Sequence, residues 1–462
     1  MKTVCAVSTP RGKGGIAVLR VSGSDAFRVA LSAFKPKYAD IDYSAPDKKY
    51  LRRALYGSIL SSDDTVIDEG ILVLYKGPSS FTGEDMAELS CHGGTAVTEE
   101  VYLSLIAHGA SAAGPGEFTK RSFLNGKTTL TEAEAIGQLI DADTGDKVRL
   151  AAGAMSGNVS RAIGEIYSSL TDVMTALYAA IDYPEEDVGD EGEKNILSAV
   201  SGALDRTRAL LDTYKAGRAV SEGVRTCVCG KPNVGKSSLF NRITGEESAI
   251  ITSIPGTTRD ILRENVSFGG VTLRLSDTAG MRDSDDTVEH IGVERAEREL
   301  GSAELILAVF DVSSPLTDED RHVLSLVESS AAPVIAVLNK ADGGLDNDTC
   351  DEVKQAIKET VTVSAKTGEG MDALSAAVRE LYDMDKINLR NDAVIWDVRQ
   401  REILLHCASS LERAKNALMC GDPIDCICTL VEEAMAYLGE TDGRSVGEEI
   451  VNEVFKRFCV GK

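Results

Sequence analysis

The sequence predicts a multidomain protein that combines an α+β fold with an α/β fold. Its 462 residues are enough for roughly three domains at about 150 residues each. The spacing of apolar residues changes along the chain, from short β-branched runs to helical stripes, then to strands alternating with helices, and back to helices. We therefore expect an N-terminal α+β domain and a helical domain that is interrupted by an inserted, doubly wound α/β domain.

Domain boundaries are expected where these patterns change. Strands such as "GIAVLRVSG" and "GILVLYKGP" precede a helix from Gly94 to His108. An acidic run from Asp182 to Lys194 interrupts the helical stripes, and we expect a solvated loop there, with no assigned function. The expected segments are the N-terminal domain (1–118), the first helical part (119–217), the inserted domain (218–382) and the second helical part (383–462).

Composition excludes several classes of protein. The net charge of −24 disfavours a large basic surface for nucleic acid, although residues 1–120 are close to neutral. Ten cysteines are scattered without the spacing of a disulfide framework, which indicates a reducing cytoplasm. Because no apolar run reaches the roughly 18 residues of a membrane helix, we expect no membrane association.

A phosphate-binding loop begins the inserted domain. The string "GKPNVGKS" follows the apolar strand "TCVC" and precedes a helix. Glycines in this pattern allow backbone N–H groups to surround phosphate oxygens at the start of a helix. Lys236 adds positive charge on the phosphates, and the Ser237 hydroxyl is a ligand for Mg²⁺. "DTAG" later places Asp277 near the metal and Gly280 near the γ-phosphate.

Two further motifs indicate that the base is guanine. "NKAD" ends the strand "PVIAVL". By resemblance to GTPases, Asp342 would accept both N–H groups of the guanine edge, and Asn339 would bind the base and brace the loop. Adenine presents the wrong donor pattern to a carboxylate. "SAK" (364–366) would supply a backbone N–H to the guanine oxygen. Four motifs in the correct order at strand ends predict a GTPase domain.

The residue after "DTAG" raises a question about hydrolysis. Many GTPases place a water-orienting glutamine there, but this chain has Met281. An apolar side chain cannot orient water, so another group must assist. Two candidates remain open: Asn233 in the phosphate loop and the carboxylates of "MRDSDDTVEHIG".

The whole chain resembles the MnmE family of bacterial tRNA-modification GTPases, also called TrmE. The resemblance rests on "TPRGKGGIAVLRVSG", "FTGEDMAELSCHGG", "GPGEFTKRSFLNGK", "GKPNVGKSSLFN", "IPGTTRD", "DTAG", "NKAD" and the terminal "FCVGK". It implies a K⁺-stimulated GTPase that forms a homodimer through its N-terminal domain. With the flavoprotein MnmG, which carries FAD and completes a heterotetramer, such a protein adds a carboxymethylaminomethyl or aminomethyl group at C5 of the tRNA wobble uridine.

The resemblance also assigns ligands to residues of this chain. The one-carbon donor, 5-formyltetrahydrofolate or methylenetetrahydrofolate, would bind Arg20, Glu88, Lys127 and Lys462. K⁺ would bind Asn233, Thr252, Ile254 and Thr257, and Mg²⁺ would bind Ser237 and Thr258. The expected nucleotide contacts are Asn233, Val234, Gly235, Lys236, Ser237, Ser238, Thr252, Ser253, Ile254, Pro255, Gly256, Thr257, Thr258, Asp277, Thr278, Ala279, Gly280, Asn339, Lys340, Asp342, Ser364, Ala365 and Lys366.

Two residues are assigned to catalysis. Glu289 in "TVEHIG" matches the family glutamate that positions the attacking water. Cys459 in the terminal "CVGK" is either a participant in the one-carbon chemistry or a small side chain that packs the tail. Lys462 is not a usual last residue of a prenylation box, so a lipid anchor is disfavoured.

Two other functions stay open at this point. A stand-alone ribosome-assembly GTPase would carry a basic RNA-binding module after the GTPase domain, whereas the chain after Asp383 is helical. A purely regulatory folate sensor would leave tRNA modification unchanged when deleted.

Overall fold

The structure is a computed structural model with two compact units. It describes residues 2–38, 41, 46–182, 189–246, 263–276, 300–443, 447–456 and 458–461. Unit 1 comprises residues 1–137 and 439–462, and unit 2 comprises residues 138–438.

Strands and helices alternate much as the sequence predicts. The described strands are β1 (Val4–Val7), β2 (Ile16–Ser22), β3 (Phe34–Pro36), β4 (Leu55–Leu60), β5 (Val66–Tyr75), β6 (Met86–His92), β7 (Ser111–Ala112), β8 (Val224–Cys229), β9 (Arg263–Phe268), β10 (Val271–Ser276), β11 (Leu305–Asp311), β12 (Val334–Asn339) and β13 (Thr360–Thr362). The described helices are α1 (Ala26–Ser32), α2 (Thr95–Ala107), α3 (Glu117–Leu124), α4 (Leu130–Ile140), α5 (Gly145–Met155), α6 (Asn158–Asp182), α7 (Gly189–Asp212), α8 (Tyr214–Ser221), α9 (Lys236–Glu246), α10 (Asp318–Glu328), α11 (Asn347–Ala356), α12 (Met371–Leu381), α13 (Val398–Cys420), α14 (Ile424–Asp442) and α15 (Glu448–Lys456).

Unit 1 is built on a seven-stranded sheet in the order β3-β4-β5-β6-β2-β1-β7. Alternate residues of its strands point to opposite faces, so each strand contributes to two different surfaces. Leu19, Leu72 and Leu89 lie on the face that α1 and α2 cover, and all three are fully buried. The opposite face carries large exposed side chains, including Ile16 (68% exposed) and Ile71 (41%). Within unit 1, one face of the sheet is therefore a core, whereas the other, called here the open face, is exposed at β2 and β5 and packs against α3 beside β1.

The last helix and the C-terminal tail complete unit 1. Phe455 of α15 is buried with Leu130 and Ala133 of α4 in a small apolar cluster. In the tail after α15, Val460 forms an antiparallel bridge with Pro115, which lies between β7 and α3. Both ends of the described chain thus belong to one compact unit.

Unit 2 contains a six-stranded sheet in the order β13-β12-β11-β8-β10-β9. Its pairs are parallel except for the edge pair formed by β9 and β10. Residues 305–310 of β11 are all buried, as expected for a strand covered on both faces. Since the carboxyl ends of parallel strands meet at one edge, the loops that follow β8, β12 and β13 lie together. This is the doubly wound α/β arrangement predicted for the inserted domain.

The helical part of unit 2 follows the predicted apolar stripes. Ile163, Ile166 and Leu170 are buried on one side of α6. The loop predicted from Asp182 to Lys194 is wrong at its C-terminal end, because α7 already begins at Gly189. Acidic residues near the start of a helix are stabilised by the helix dipole, so this charge pattern favours a helix start as well as a loop. Residues 183–188 lie outside the described part.

No helix in the described part of the chain is both long and apolar enough to cross a membrane.

Candidate functional site

The phosphate loop joins the end of β8 to the start of α9. Asn233 and Gly235 both have positive φ angles, +63° and +98°. A Cβ atom on Gly235 would lie 2.3 Å from Nδ2 of Asn339, so this position requires glycine for space as well as for conformation. The loop is therefore held in its turn by its own backbone and by the strand beside it.

Lys236 lies at the first position of α9 and points back into the loop. Its Nζ donates to the carbonyl oxygens of Gly230 and Lys231, both at 2.8 Å. Burial lowers the pKa of the Lys236 ammonium group. A phosphate oxygen entering the loop would give this half-buried cation a charged partner, which is the role that the motif predicts.

Asn339, at the end of β12, ties three loops together. Its Nδ2 donates to the carbonyl oxygen of Val234 at 2.8 Å, and its Oδ1 accepts from the backbone N–H of Ala365 at 3.0 Å. Asn339 is only 2% exposed, so both hydrogen bonds are shielded from water. One amide thus fixes the phosphate loop relative to the loop after β13.

Asp342 presents a carboxylate at the same edge of the sheet. Its Oδ1 accepts from the Ser364 hydroxyl at 2.7 Å, and its Oδ2 lies 3.8 Å from Nζ of Lys366. These contacts hold the carboxylate beside the loop after β13 while leaving acceptor capacity for a ligand. A base with two adjacent N–H donors, as guanine has, matches this group.

Two braces of this site were not identified from the sequence. Arg242 of α9 donates to the carbonyl oxygens of Ala365 and Lys366, at 3.3 and 2.8 Å. Asp311, at the end of β11, accepts from Nζ of Lys340 at 2.7 Å. Asp311 could have been singled out in the sequence, because it is a polar residue at the end of an apolar strand. Arg242 could not, because its contacts are to backbone atoms.

Several predicted residues lie outside the described part of the chain, so their placement stays a prediction. They are Thr252, Ser253, Ile254, Pro255, Gly256, Thr257, Thr258, Asp277, Thr278, Ala279, Gly280, Glu289 and Lys462. The described metal candidates are oxygen donors: Asn233 and Ser237 are both exposed at the mouth of the loop. Oxygen ligands of this kind suit K⁺ and Mg²⁺.

A second group of predicted residues lies on the open sheet face of unit 1. Arg20 of β2 faces Glu88 of β6 in register, and its Nε donates to Oε1 of Glu88 at 2.8 Å. The Tyr75 hydroxyl donates to the other oxygen of Glu88 at 3.2 Å. The Arg20 guanidinium also lies over the ring of Phe81, 5.6 Å from its centroid. The structure thus brings Arg20 and Glu88 together and adds two aromatic residues that the sequence did not single out.

Lys127 reaches the segment that carries Phe81. Its Nζ donates to the carbonyl oxygen of Pro78 at 2.9 Å. Arg52, a further residue missed in the sequence, donates from Nη2 to the neighbouring carbonyl oxygen of Ser79 at 2.5 Å. Both side chains are exposed. The Lys127 and Arg52 cations and the Arg20–Glu88 pair therefore lie around one short segment, residues 78–81.

The tail places Cys459 in the same unit. The Cys459 carbonyl oxygen accepts from the N–H of Gly116 at 3.2 Å, and the Gly461 carbonyl oxygen accepts from the Ser8 hydroxyl at 2.7 Å. Ser8 directly follows β1, and β1 pairs with the strand that carries Arg20. The Cys459 side chain is exposed. The backbone of the tail makes the contacts, and the thiol remains accessible.

Comparison with known proteins extends over the whole chain. A family model described as the MnmE helical domain matches residues 130–459, and one described as the GTP-binding protein TrmE N-terminus matches residues 3–127. This chain belongs to the MnmE family. Together with the phosphate loop and the guanine-side loops, membership in the MnmE family establishes a GTP hydrolase.

Three MnmE relatives are similar along their full length. Each is named tRNA modification GTPase MnmE. The protein of Acetivibrio thermocellus is 34% identical, that of Carboxydothermus hydrogenoformans 36% and that of Natranaerobius thermophilus 37%, and each alignment covers 100% of this chain and 99% of the relative. The family resemblance inferred from the sequence is confirmed.

Proposed function

We propose that this GTPase acts in tRNA modification, where it is stimulated by K⁺ and works with the flavoprotein MnmG to modify C5 of the wobble uridine with a folate-derived one-carbon unit. The observation that carries the proposal is the docked tail. It holds an accessible Cys459 thiol in the unit that also contains the Arg20–Glu88 pair. A GTP site alone would fit many switch proteins, whereas this second site calls for chemistry beyond hydrolysis.

The phosphate loop supports a role for a monovalent cation. Asn233 has a left-handed backbone conformation, which asparagine tolerates. Because the residue is exposed, its side-chain amide oxygen is available to an ion beside the phosphates. A cation there would neutralise charge that develops between the phosphates during hydrolysis. Ser237, in the first turn of α9, would hold Mg²⁺.

We expect GTP hydrolysis to be roughly tenfold faster in K⁺ than in Na⁺ at equal ionic strength. Asn233→Ala and Asn233→Gly should both abolish the difference while nucleotide affinity stays nearly constant. The glycine variant is the matched control, because it removes the amide without straining the positive φ angle. Equal rates in the two salts for the unmodified protein, or K⁺ stimulation retained by Asn233→Gly, would contradict the cation site.

The open face of the unit 1 sheet supports a homodimer with folate. Arg20 and Glu88 lie on this face, which also exposes Ile16 and Ile71. A cleft of about 860 Å³ lies between α3 and α15, and none of the described folate candidates, Arg20, Glu88 and Lys127, lines it. A second copy of the chain would cover the exposed apolar side chains and form the second side of a folate pocket over Arg20 and Glu88.

The charges of this face fit a folate. The cations of Arg20, Lys127 and Arg52 suit the carboxylates of a glutamate tail, and the Glu88 carboxylate suits the N–H donors of a pterin ring. The predicted Lys462 contact lies outside the described residues.

Glu88→Gln should weaken the binding of 5-formyltetrahydrofolate by roughly 10- to 100-fold, because hydrogen bonds to a charged group are lost. Calorimetry on the full chain measures this affinity. Glu99→Gln is the matched control, since Glu99 is exposed on α2, which covers the other face of the sheet. Unchanged affinity in Glu88→Gln would remove Glu88 from the folate site.

Mass spectrometry of wobble nucleosides tests the proposed function as a whole. Cells that lack this protein should lose the C5 modification, and cells that carry Glu88→Gln should lose most of it. Normal modification without the protein would instead favour a ribosome-assembly GTPase or a folate sensor. Partnership with MnmG and a cytoplasmic location belong to the same proposal.

A further inference from the structure

Within unit 2, the start of α5 contacts the edge strand of the GTPase sheet. The Asn265 amide donates from Nδ2 to Oδ2 of Asp143 at 2.8 Å, and the Ser267 hydroxyl donates to Oδ2 of Asp146 at 2.6 Å. Asn265 and Ser267 are two residues apart on β9, so they share one face of the strand. Two carboxylates of the helical part thus accept two hydrogen bonds from one strand of the GTPase sheet.

These carboxylates are held firmly on their own side. Thr144, between them in the sequence, caps α5 by accepting from the N–H of Lys147 at 3.3 Å. The Lys147 ammonium group lies 2.8 Å from Oδ1 of Asp143, and this lysine side chain is only 10% exposed. Burial opposes ionisation of Asp143, but hydrogen bonds from Lys147 and Asn265 outweigh it and lower the pKa of that carboxyl. The Asp143 carboxylate is therefore charged, and the Thr144 cap and the Lys147 ammonium group hold this turn from within the helical part.

The strand that they hold is connected to the phosphate loop through described residues. β9 pairs with β10 so that Asn265 faces Arg274, and β10 pairs in parallel with β8, where Leu275 faces Thr226. β8 runs directly into the phosphate loop. In the sequence, the "DTAG" motif follows Ser276 at the end of β10. The β9–β10 hairpin therefore lies between the helical part and the nucleotide site.

A second contact supports the same connection. Arg218 of α8 donates from Nη2 to Oε1 of Glu304 at 2.7 Å, just before β11 begins. Thr272 of β10 also donates from its hydroxyl to the carbonyl oxygen of Val220 in α8, at 2.9 Å, and Thr272 is fully buried. Apart from the Asp143 and Asp146 contacts, α8, which leads from the helical part into β8, therefore makes polar contacts with β10 and with the residue that precedes β11, the two neighbours of β8 in the sheet.

We propose that Asp143 and Asp146 are positioning residues for GTP hydrolysis, which hold the β9–β10 hairpin in the register that the nucleotide site requires. The proposal rests on the GTPase activity of the family and on neither K⁺ nor folate. Simple adhesion between the two parts of unit 2 would make the same contacts, but it would not change the rate of the chemical step. Kinetics can therefore separate the two roles.

An exchange of the two side chains gives the sharpest test. Asn265→Asp alone places a carboxylate against Asp143 and should lower kcat for GTP hydrolysis about tenfold, with GDP affinity within about twofold of the unmodified protein. Adding Asp143→Asn restores one amide and one carboxylate in reversed order, and should return kcat to within about threefold. A recovery of kcat in the double variant would show that residues 143 and 265 act as a pair, because neither residue acting alone would be rescued by a change in the other.

The controls keep this test decisive. Glu412→Gln removes an exposed ion pair with Arg208 inside the helical part and should leave kcat unchanged. If Asn265→Asp does not fold, Ser267→Ala removes only one hydroxyl and should still lower kcat about threefold. Thermal unfolding of every variant reports stability separately. An unchanged kcat in the folded single variants, or a double variant as slow as Asn265→Asp, would overturn the proposal.

Discussion

Replacing Asp342 by asparagine should weaken GTP binding by roughly 100- to 10,000-fold, because two hydrogen bonds from guanine to a charged acceptor are lost. The amide can donate a hydrogen bond where the carboxylate could only accept, so xanthosine triphosphate should bind better than GTP. The Ser364 hydroxyl can still donate to the remaining side-chain oxygen and hold it in place. Competition binding with the two nucleotides measures the change of preference.

The control for this experiment is Asp348→Asn. Asp348 lies in the first turn of α11, is exposed, and belongs to no predicted nucleotide contact. It should leave both affinities within about twofold of the unmodified protein. Retained GTP preference in Asp342→Asn would show that this carboxylate does not read the base.

Replacing Gly461 by alanine should abolish wobble-uridine modification while GTP hydrolysis is retained. Gly461 has a φ angle of +97°, and a Cβ atom there would lie 2.1 Å from the Val7 carbonyl oxygen. That neighbour is backbone in β1 and cannot move aside, so the tail would have to leave its position. We expect modification to fall more than about tenfold, measured by mass spectrometry of wobble nucleosides.

Two neighbouring variants show what the tail contributes. Val460→Ala shortens a side chain that is 51% exposed and should change little. Cys459→Ser keeps the docked backbone but removes the thiol, so lost modification would assign chemistry to the sulfur. Normal tRNA modification by Gly461→Ala would show that the docked tail is not required. It would also contradict the hypothesis that the tail positions the Cys459 thiol for the one-carbon chemistry.

The GTPase site was predictable because its chemistry is local in sequence. "GKPNVGKS", "NKAD" and "SAK" each end a strand of one parallel sheet, and strand ends of such a sheet meet at one edge. The braces were not predictable for the opposite reason. Arg242 contacts backbone carbonyl oxygens of a loop far along the chain. Every residue has such an oxygen, so the residue types in that loop do not indicate the contact.

The sheet-face group of unit 1 was reached only through resemblance. Arg20 and Glu88 are separated by 68 residues, and no spacing rule predicts that two strands will pair them. The tertiary fold, rather than any local pattern, also brings Tyr75, Phe81 and Arg52 to this group. The acidic run before Lys194 was misassigned in part, since the same charges suit a loop and a helix start. The domain boundaries remain a prediction.

The contact between Ser8 and Gly461 has a consequence for how the protein is made. The two residues are separated by 453 positions. A ribosome that adds about 5–20 residues per second needs roughly 20 to 90 s to synthesise that stretch. During this time the first strands emerge without the segment that later completes their unit, while the whole of unit 2 has been translated. We therefore expect unit 1 to complete its native contacts only after unit 2 has been translated, although the synthesis of unit 1 begins first.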